Sequence, residues 1–289
     1  MEERLYEIAE EKLLVKGEKE WFCKEWETFR AANENEEKGK SSVIRITCRR
    51  QRLEPGEIET VLQAENMKVL SDPDYFYVKY LGRNSLWGCQ LNQDKPEAVI
   101  YVRDAVSPED FSFAVRDIFF FYLQKRGKLA IHSASIIYRE QAWLFSAPSG
   151  TGKSTHVRQW KEMGFPYEDL NGDIAICYIR GDNSAVAAST PWCGTSGIYS
   201  NRIEKLGGVF FLQRDFVNLA NKMGNMDGIL RLAARSISPV WTKEQAEQNL
   251  NVCEQIAAKI ELAKLSCRPN PEAAGASKKY IDIRMNEKL

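Results

Sequence analysis

The sequence predicts an α/β protein, an α+β arrangement built on a mixed sheet. Two runs, LAIHSASII (129–137) and AWLFSA (142–147), are apolar enough for buried strands and are joined only by Tyr138, Arg139, Glu140 and Gln141. A connection of that length is a hairpin, so the two strands pair antiparallel. The second strand runs straight into APSGTGKST, and STHVRQWKEMG then reads as a helix ending at Gly164. A doubly wound nucleotide fold would place a helical crossover ahead of such a loop. The hairpin therefore puts the loop in a mixed sheet.

Ahead of this core, residues 1–106 favour strands. VIRITC (43–48), YFYVKYL (75–81), LWGCQL (86–91) and AVIYV (98–102) are short, β-branched or aromatic, and separated by turn residues. AANENEEKGKSS (31–42) reads as a solvated loop. This β-rich N-terminal region either packs on the remainder or recognises an acceptor. The second domain, 107–289, opens with a helix: Ser107 suits the N-cap, Pro108 the first position and Asp110 the first turn. Its apolar face (Phe111, Phe119, Phe120, Leu123) reads as core, and it stops near Gly127. Beyond the loop helix, IAICYI (174–179) and AVAAS (185–189) are strands around a Gly181-Asp182-Asn183 turn, and GGVFFLQ (207–213) is another. Residues 243–265 predict an amphipathic helix carrying Leu250, Cys253, Ala257 and Ile260 on one face. From Pro269 the tail reads as loop, with a last strand at YIDIR.

Composition narrows the function. The 289 residues suffice for one large domain or two small ones. Forty basic and forty acidic side chains cancel, which gives no ground for a nucleic-acid or membrane partner. Seven scattered cysteines without a Cys-x-x-Cys pair, and two histidines, argue against zinc and for free thiols in a reducing compartment. MEERLYEIAEEKLL is charged from its start, unlike a signal peptide, and the apolar run at Asp117 is too short for a bilayer. The expectation is a soluble, cytoplasmic protein.

The loop carries the chemistry. It fits G-x-x-x-x-G-K-[S/T] except that Ala147 stands at the first position, where a methyl group need not point at the ligand. Gly150 and Gly152 supply bare backbone, successive N–H groups curl around phosphates, and the helix presents its positive end. Lys153 would contact the β- and γ-phosphates and the Ser154 hydroxyl would bind Mg²⁺. A carboxylate must lie near that metal. No apolar strand downstream closes on an aspartate in a suitable place, but Asp173 precedes one, a helix and a short turn after Lys153; it is otherwise a turn residue beside Gly172. Glu168 and Asp169 read as solvated turn residues. His132, on the strand paired with the loop strand, either orients an attacking hydroxyl or is a satisfied core histidine. His156 reads as a surface residue of the loop helix. Trp192, in TPWCGT (190–195), offers a flat face to a base or substrate, or is an ordinary buried tryptophan. Arg202 could neutralise charge on a transferring phosphoryl group, with Arg214 competing for the role.

In the order IHSAS, APSGTGKST, LNGD, STPWCGT, the chain resembles the kinase domain of HPr kinase/phosphorylase. Within that superfamily it is most similar to the HPr-kinase-like proteins of modified-peptide gene clusters, including the lasso-peptide kinases. The resemblance spans residues 125 to 215. It implies a P-loop domain related to phosphoenolpyruvate carboxykinase, with ATP and Mg²⁺ as cofactors and transfer of the γ-phosphate to a serine hydroxyl. It places Ser149, Gly150, Thr151, Gly152, Lys153, Ser154 and Thr155 on the nucleotide, with Ser154 and Asp173 on the metal. His132 falls beside the acceptor, an acidic residue activates the hydroxyl, and Asn171, Trp192 and Arg202 are substrate candidates. HPr kinases carry two consecutive aspartates where this chain reads Gly172-Asp173, so Asp173 alone is base, metal ligand or both. The expected function is an ATP-dependent kinase acting on a serine of a peptide or small protein, with a homo-oligomer allowed. A small-molecule kinase acting on an acceptor such as free serine, or a catalytically degenerate ATP-binding regulator, are the alternatives.

Overall fold

The computed structural model describes residues 1–32, 39–56 and 58–287; residues 33–38 of the expected 31–42 loop lie outside them. The chain forms two units, Met1–Arg126 with Pro239–Ala246, and Gly127–Ser238 with Glu247–Leu289.

In the first unit eight strands make one mixed sheet: β1 (Glu2–Ile8), β2 (Glu11–Gly17), β3 (Ile44–Arg49), β4 (Glu59–Gln63), β5 (Met67–Ser71), β6 (Tyr75–Tyr80), β7 (Leu86–Asn92) and β8 (Glu97–Val102). Their order is β1-β2-β3-β8-β7-β6-β5-β4, with β2–β3 and β3–β8 parallel. The N-terminal segment, conspicuous in sequence for its charge, is a hairpin that turns at Ala9 and Glu10, both at positive φ. Buried Leu13 and Val15 alternate with Lys12, Leu14 and Lys16, the period-2 signature that the charges obscure. Helix α1 (Pro108–Lys125) starts as expected, Ser107 Oγ accepting from the Asp110 amide at 3.4 Å. Phe111, Phe119, Phe120 and Leu123 are buried, Phe111 within an aromatic group with Trp21, Phe22 and Trp26. The expected boundary at 106/107 is displaced: α1 belongs to the first unit, which also recruits Trp241 from the distant 239–246 segment to stack on Phe121.

The second unit holds β9 (Lys128–Tyr138), β10 (Gln141–Ser146), β11 (Glu168–Asn171), β12 (Ile174–Ile179), β13 (Ala185–Ala188), β14 (Ile203–Arg214), β15 (Leu219–Lys222) and β16 (Glu261–Cys267). Its helices are α2 (Lys153–Glu162), α3 (Asn225–Arg235), α4 (Lys243–Ala257), which begins within the 239–246 segment, and α5 (Glu272–Asn286). The β9–β10 hairpin is antiparallel from Tyr138↔Gln141 to Ser133↔Ser146, turning on Arg139 and Glu140 at φ 51° and 58°. β14 runs parallel to β10 and to β16, so the sheet is mixed. β9 pairs with β12 and then β11 along one edge and with β10 along the other, and β14 pairs with β13 and with β10, so the pairings β10-β9-β12-β13-β14 close into a ring.

Alternation along β9 divides the core. Leu129 and Ile131 face Leu232 of α3 and Val252, Cys253 and Ile256 of α4. Ala134 and Ile136 face Val157 and Trp160 of α2 and Ile281 of α5. Two expectations fail at the C-terminal end. The helix expected over 243–265 ends at Ala257, and β16 follows, paired along its length with the apolar β14. The tail expected as loop and strand is α5: YIDIR has local strand character, but Tyr280 and Ile281 pack inward while Asp282 receives Lys278 at i−4 and the Tyr138 hydroxyl. No described helix is long and apolar enough to cross a membrane.

Candidate functional site

β10 ends at Ser146, and the chain turns through 147–152 before α2 begins at Lys153. Ala147 is buried and packs in the cluster containing Phe145 and Val157, so its methyl group fills core rather than loop. The turn closes with the Thr151 amide donating to Pro148 O at 3.2 Å, Gly150 and Gly152 take φ of 73° and 117°, and the His156 amide starts the α2 ladder on Gly152 O. Ser149, Gly150 and Ser154 are exposed, and Thr151, Gly152 and Thr155 are half-buried. A glycine-rich turn at a helix N-terminus suits an anion. Arg214, at the end of the parallel neighbour β14, braces the loop by donating from Nη2 to Gly150 O at 2.7 Å.

Lys153 is buried, and its side chain makes no hydrogen bond or ion pair among the described residues. Burial lowers its pKa from the usual ammonium range; Asp173 opposes that shift and Arg235 adds to it. Asp173 lies in the turn between β11 and β12, where Ile174 pairs with His132 of β9 and the Ser133 amide donates to Asp173 O. The register brings His132 Nε2 to 3.0 Å from Asp173 Oδ1. The ionised carboxylate accepts, so the histidine proton sits on Nε2. Both side chains remain reachable, at 27% and 32% exposure.

Asn171, a substrate candidate, stands in the wall of the site and is held there by its own hydrogen bonds. It is wholly buried; Oδ1 accepts from the amides of Asp173 and Ile174 at 2.8 Å, and Nδ2 donates to Thr190 O and Ser189 Oγ. It is the clamp that shapes the turn carrying Asp173. Two glycines crowd the same turn. A Cβ at position 172 would overlap Ser196, lying 2.7 Å from its Cβ, and a Cβ at position 194 would lie 3.0 Å from Asp173 Cγ. Residue 172 therefore has no room for a second carboxylate.

Other expectations change. Trp192 is 8% exposed, so its ring belongs to the packing and offers no open face. Arg202 is held between Glu168 and Glu204, which neutralise it. His156 is buried, not on the surface: its Nε2 meets Ser277 Oγ at 3.0 Å, and burial lowers its pKa to about 3. Glu168 and Asp169 are exposed, as expected of solvated residues, but belong to strand β11 and not to a turn. An apolar strand does close on an aspartate: Asp215 follows β14 directly, beside the loop, a position legible in GGVFFLQRD once β14 is paired with β10. Arg235, at the end of α3, is the other residue that the sequence did not single out.

Two cavities flank opposite faces of α2. One, of about 380 Å³, is lined by Gly150, Gly152, Thr155, Gln159, Asp215 and Arg268. The other, of about 190 Å³, is lined by Ser135, Ser154, Arg158, Lys161, Asn171 and Ser196, among others.

No protein-family model matches the chain, and no curated protein matches it. Among solved structures, that of the Hpr(Ser) kinase/phosphatase from Coxiella burnetii is similar over 55% of this chain and 93% of its own, with a TM-score of 0.34 and 10% identity. At that level the likeness is distant and carries no functional argument.

Proposed function

We propose that this chain is an ATP- and Mg²⁺-dependent phosphotransferase acting on a hydroxyl group. The observation that carries the reading is the meeting of His132 and Asp173, 3.0 Å apart, with an unpartnered Lys153 at the helix that the glycine-rich loop opens. When bound, Mg-ATP would supply the phosphoryl group and its divalent charge. Protein ligands for the metal would be few, the Ser154 hydroxyl and Asp173, which suits an ion that keeps waters and phosphate oxygens around it. Asp173 Oδ1 takes the His132 proton donor, and Oδ2 takes the proton of the attacking hydroxyl. Lys153 offsets charge on the transferring group.

A serine of a peptide or small protein is the acceptor that the sequence resemblance favours. The cavity of about 190 Å³ beside Ser154 favours a second reading, a small hydroxyl compound such as free serine. Purified protein with Mg-ATP, given serine-containing peptides and free serine, separates them by mass spectrometry. Phosphoryl gain on peptides supports the first acceptor and gain on free serine alone the second. Lys153→Ala is expected to slow transfer roughly 100- to 1000-fold; transfer at the wild-type rate in that variant would refute the site. Nucleotide affinity without transfer to either acceptor would make the chain an ATP-binding regulator.

A further inference from the structure

We propose that Arg235 is a phosphate-binding residue of this site, gripping the γ-phosphate of bound ATP from the side opposite Lys153; the proposal rests on the nucleotide-binding reading above.

The placement comes from the sheet. β10 pairs with β9 as far as Ser146↔Ser133, then leaves to form the glycine-rich loop. The β9 edge that it vacates is taken up by the chain leaving α3: Ser236 bridges Ile131 antiparallel, and the Ile237 amide donates to Ala130 O at 2.9 Å. In that register Arg235 stands across from His132. His132, next to Ile131 on β9, points to the other face of the sheet, and Arg235 is the last residue of α3 before the bridge. Arg235 thus lies where the loop lifts off the sheet, close enough to act electrostatically on Lys153.

Its chemistry is unspent. Arg158 is paired with Glu162, Arg202 with Glu168 and Glu204, and Arg214 with the Gly150 carbonyl, while Arg268 lines the larger cavity. Arg235 is half-buried and makes no hydrogen bond or ion pair among the described residues. Lys153 is buried, Arg235 is half-buried, and the acid beside them on β9's neighbour, Asp173, is already engaged by His132. Removing two charges from water without a counter-ion is unfavourable, and a doubly charged phosphoryl group supplies one. A planar guanidinium suits two phosphate oxygens at once. The simpler role, a cation at a helix C-terminus, is partly met already, since the Ser236 amide reaches the Leu232 and Ala233 carbonyls.

The test is the dissociation constants of Mg-ATP and Mg-ADP for the full chain, Arg235→Ala and Arg235→Lys, with thermal melts of all three. Arg235→Ala is expected to weaken ATP about 10- to 100-fold and leave ADP within about twofold, with Arg235→Lys recovering part of the loss. Equal effects on both nucleotides, or a lowered melting temperature with an unchanged ATP-to-ADP ratio, would overturn the proposal and leave a helix-end role. If wild type binds neither nucleotide, the glycine-loop reading fails and this one falls with it. Should Arg235→Ala not fold, the ATP-to-ADP ratio of Arg235→Lys decides.

Discussion

Ser277 sets the state of His156. Its hydroxyl donates to Ala274 O and so accepts from both Trp160 Nε1 and His156 Nε2, which fixes the histidine proton on Nε2 and ties α5 to the loop helix. Burial then holds the imidazole neutral, its pKa about 3 against 6.5 in the unfolded chain. The folded value lies below the unfolded one, so between them the unfolded chain takes up the proton first. Stability is full above pH 6.5 and falls as pH descends toward 3. By pH 4.5 the loss through this one group is roughly 2–3 kcal/mol. Denaturant melts from pH 7 to 4.5 check this: His156→Gln, which keeps a donor for Ser277, is expected to flatten the slope. Identical slopes in the two proteins would assign the acid sensitivity elsewhere.

At the scale of elements, the β11–β12 turn and the 190–198 loop interlock at Gly172. Ser196 Oγ donates to Cys193 O at 2.6 Å and accepts from the Ile198 amide, while the Gly172 amide donates to Ile198 O. Ser196 therefore occupies the space of a 172 side chain. Gly172→Ala is expected to cost about 1–3 kcal/mol in overpacking and to shift Asp173 away from His132. Adding Ser196→Gly should recover most of that loss, although Ser196→Gly alone is destabilising. Additive single and double variants in urea melts would show that the two positions do not share one space.

Across the whole molecule, what the sequence made legible was what neighbouring residues decide. The hairpin around Arg139 and Glu140, the glycine-rich loop with its helix, and the capped start of α1 depend on spacing over a few residues. The His132–Asp173 pair was half legible, because His132 lies on one predicted strand and Asp173 just ahead of another, but their 3.0 Å contact needs the β9–β12 register. What escaped depends on distant partners. β16 looks like the continuation of a helix until β14 lies beside it, and α5 looks like a strand until Tyr280 and Ile281 find their cluster. Asp215 comes beside the loop only through β14–β10 pairing, and Arg235 comes opposite β9 only through the edge filled by Ser236. The first unit's charged hairpin shows the converse, a pattern present in sequence and masked by its outward-facing lysines and glutamates.

Asn171 and Gly172 together form the dipeptide in which asparagine hydrolyses most readily, by attack of the glycine nitrogen on the side-chain carbonyl. Here that nitrogen is committed to Ile198 O, and all four hydrogen bonds of the amide group hold it out of reach. The clamp that shapes the turn is therefore also a protection against chemical ageing that lasts only while the chain is folded. Stored folded protein should keep its amide, and protein incubated in denaturant should lose it at this peptide, by peptide mapping, and refold without the turn that presents Asp173.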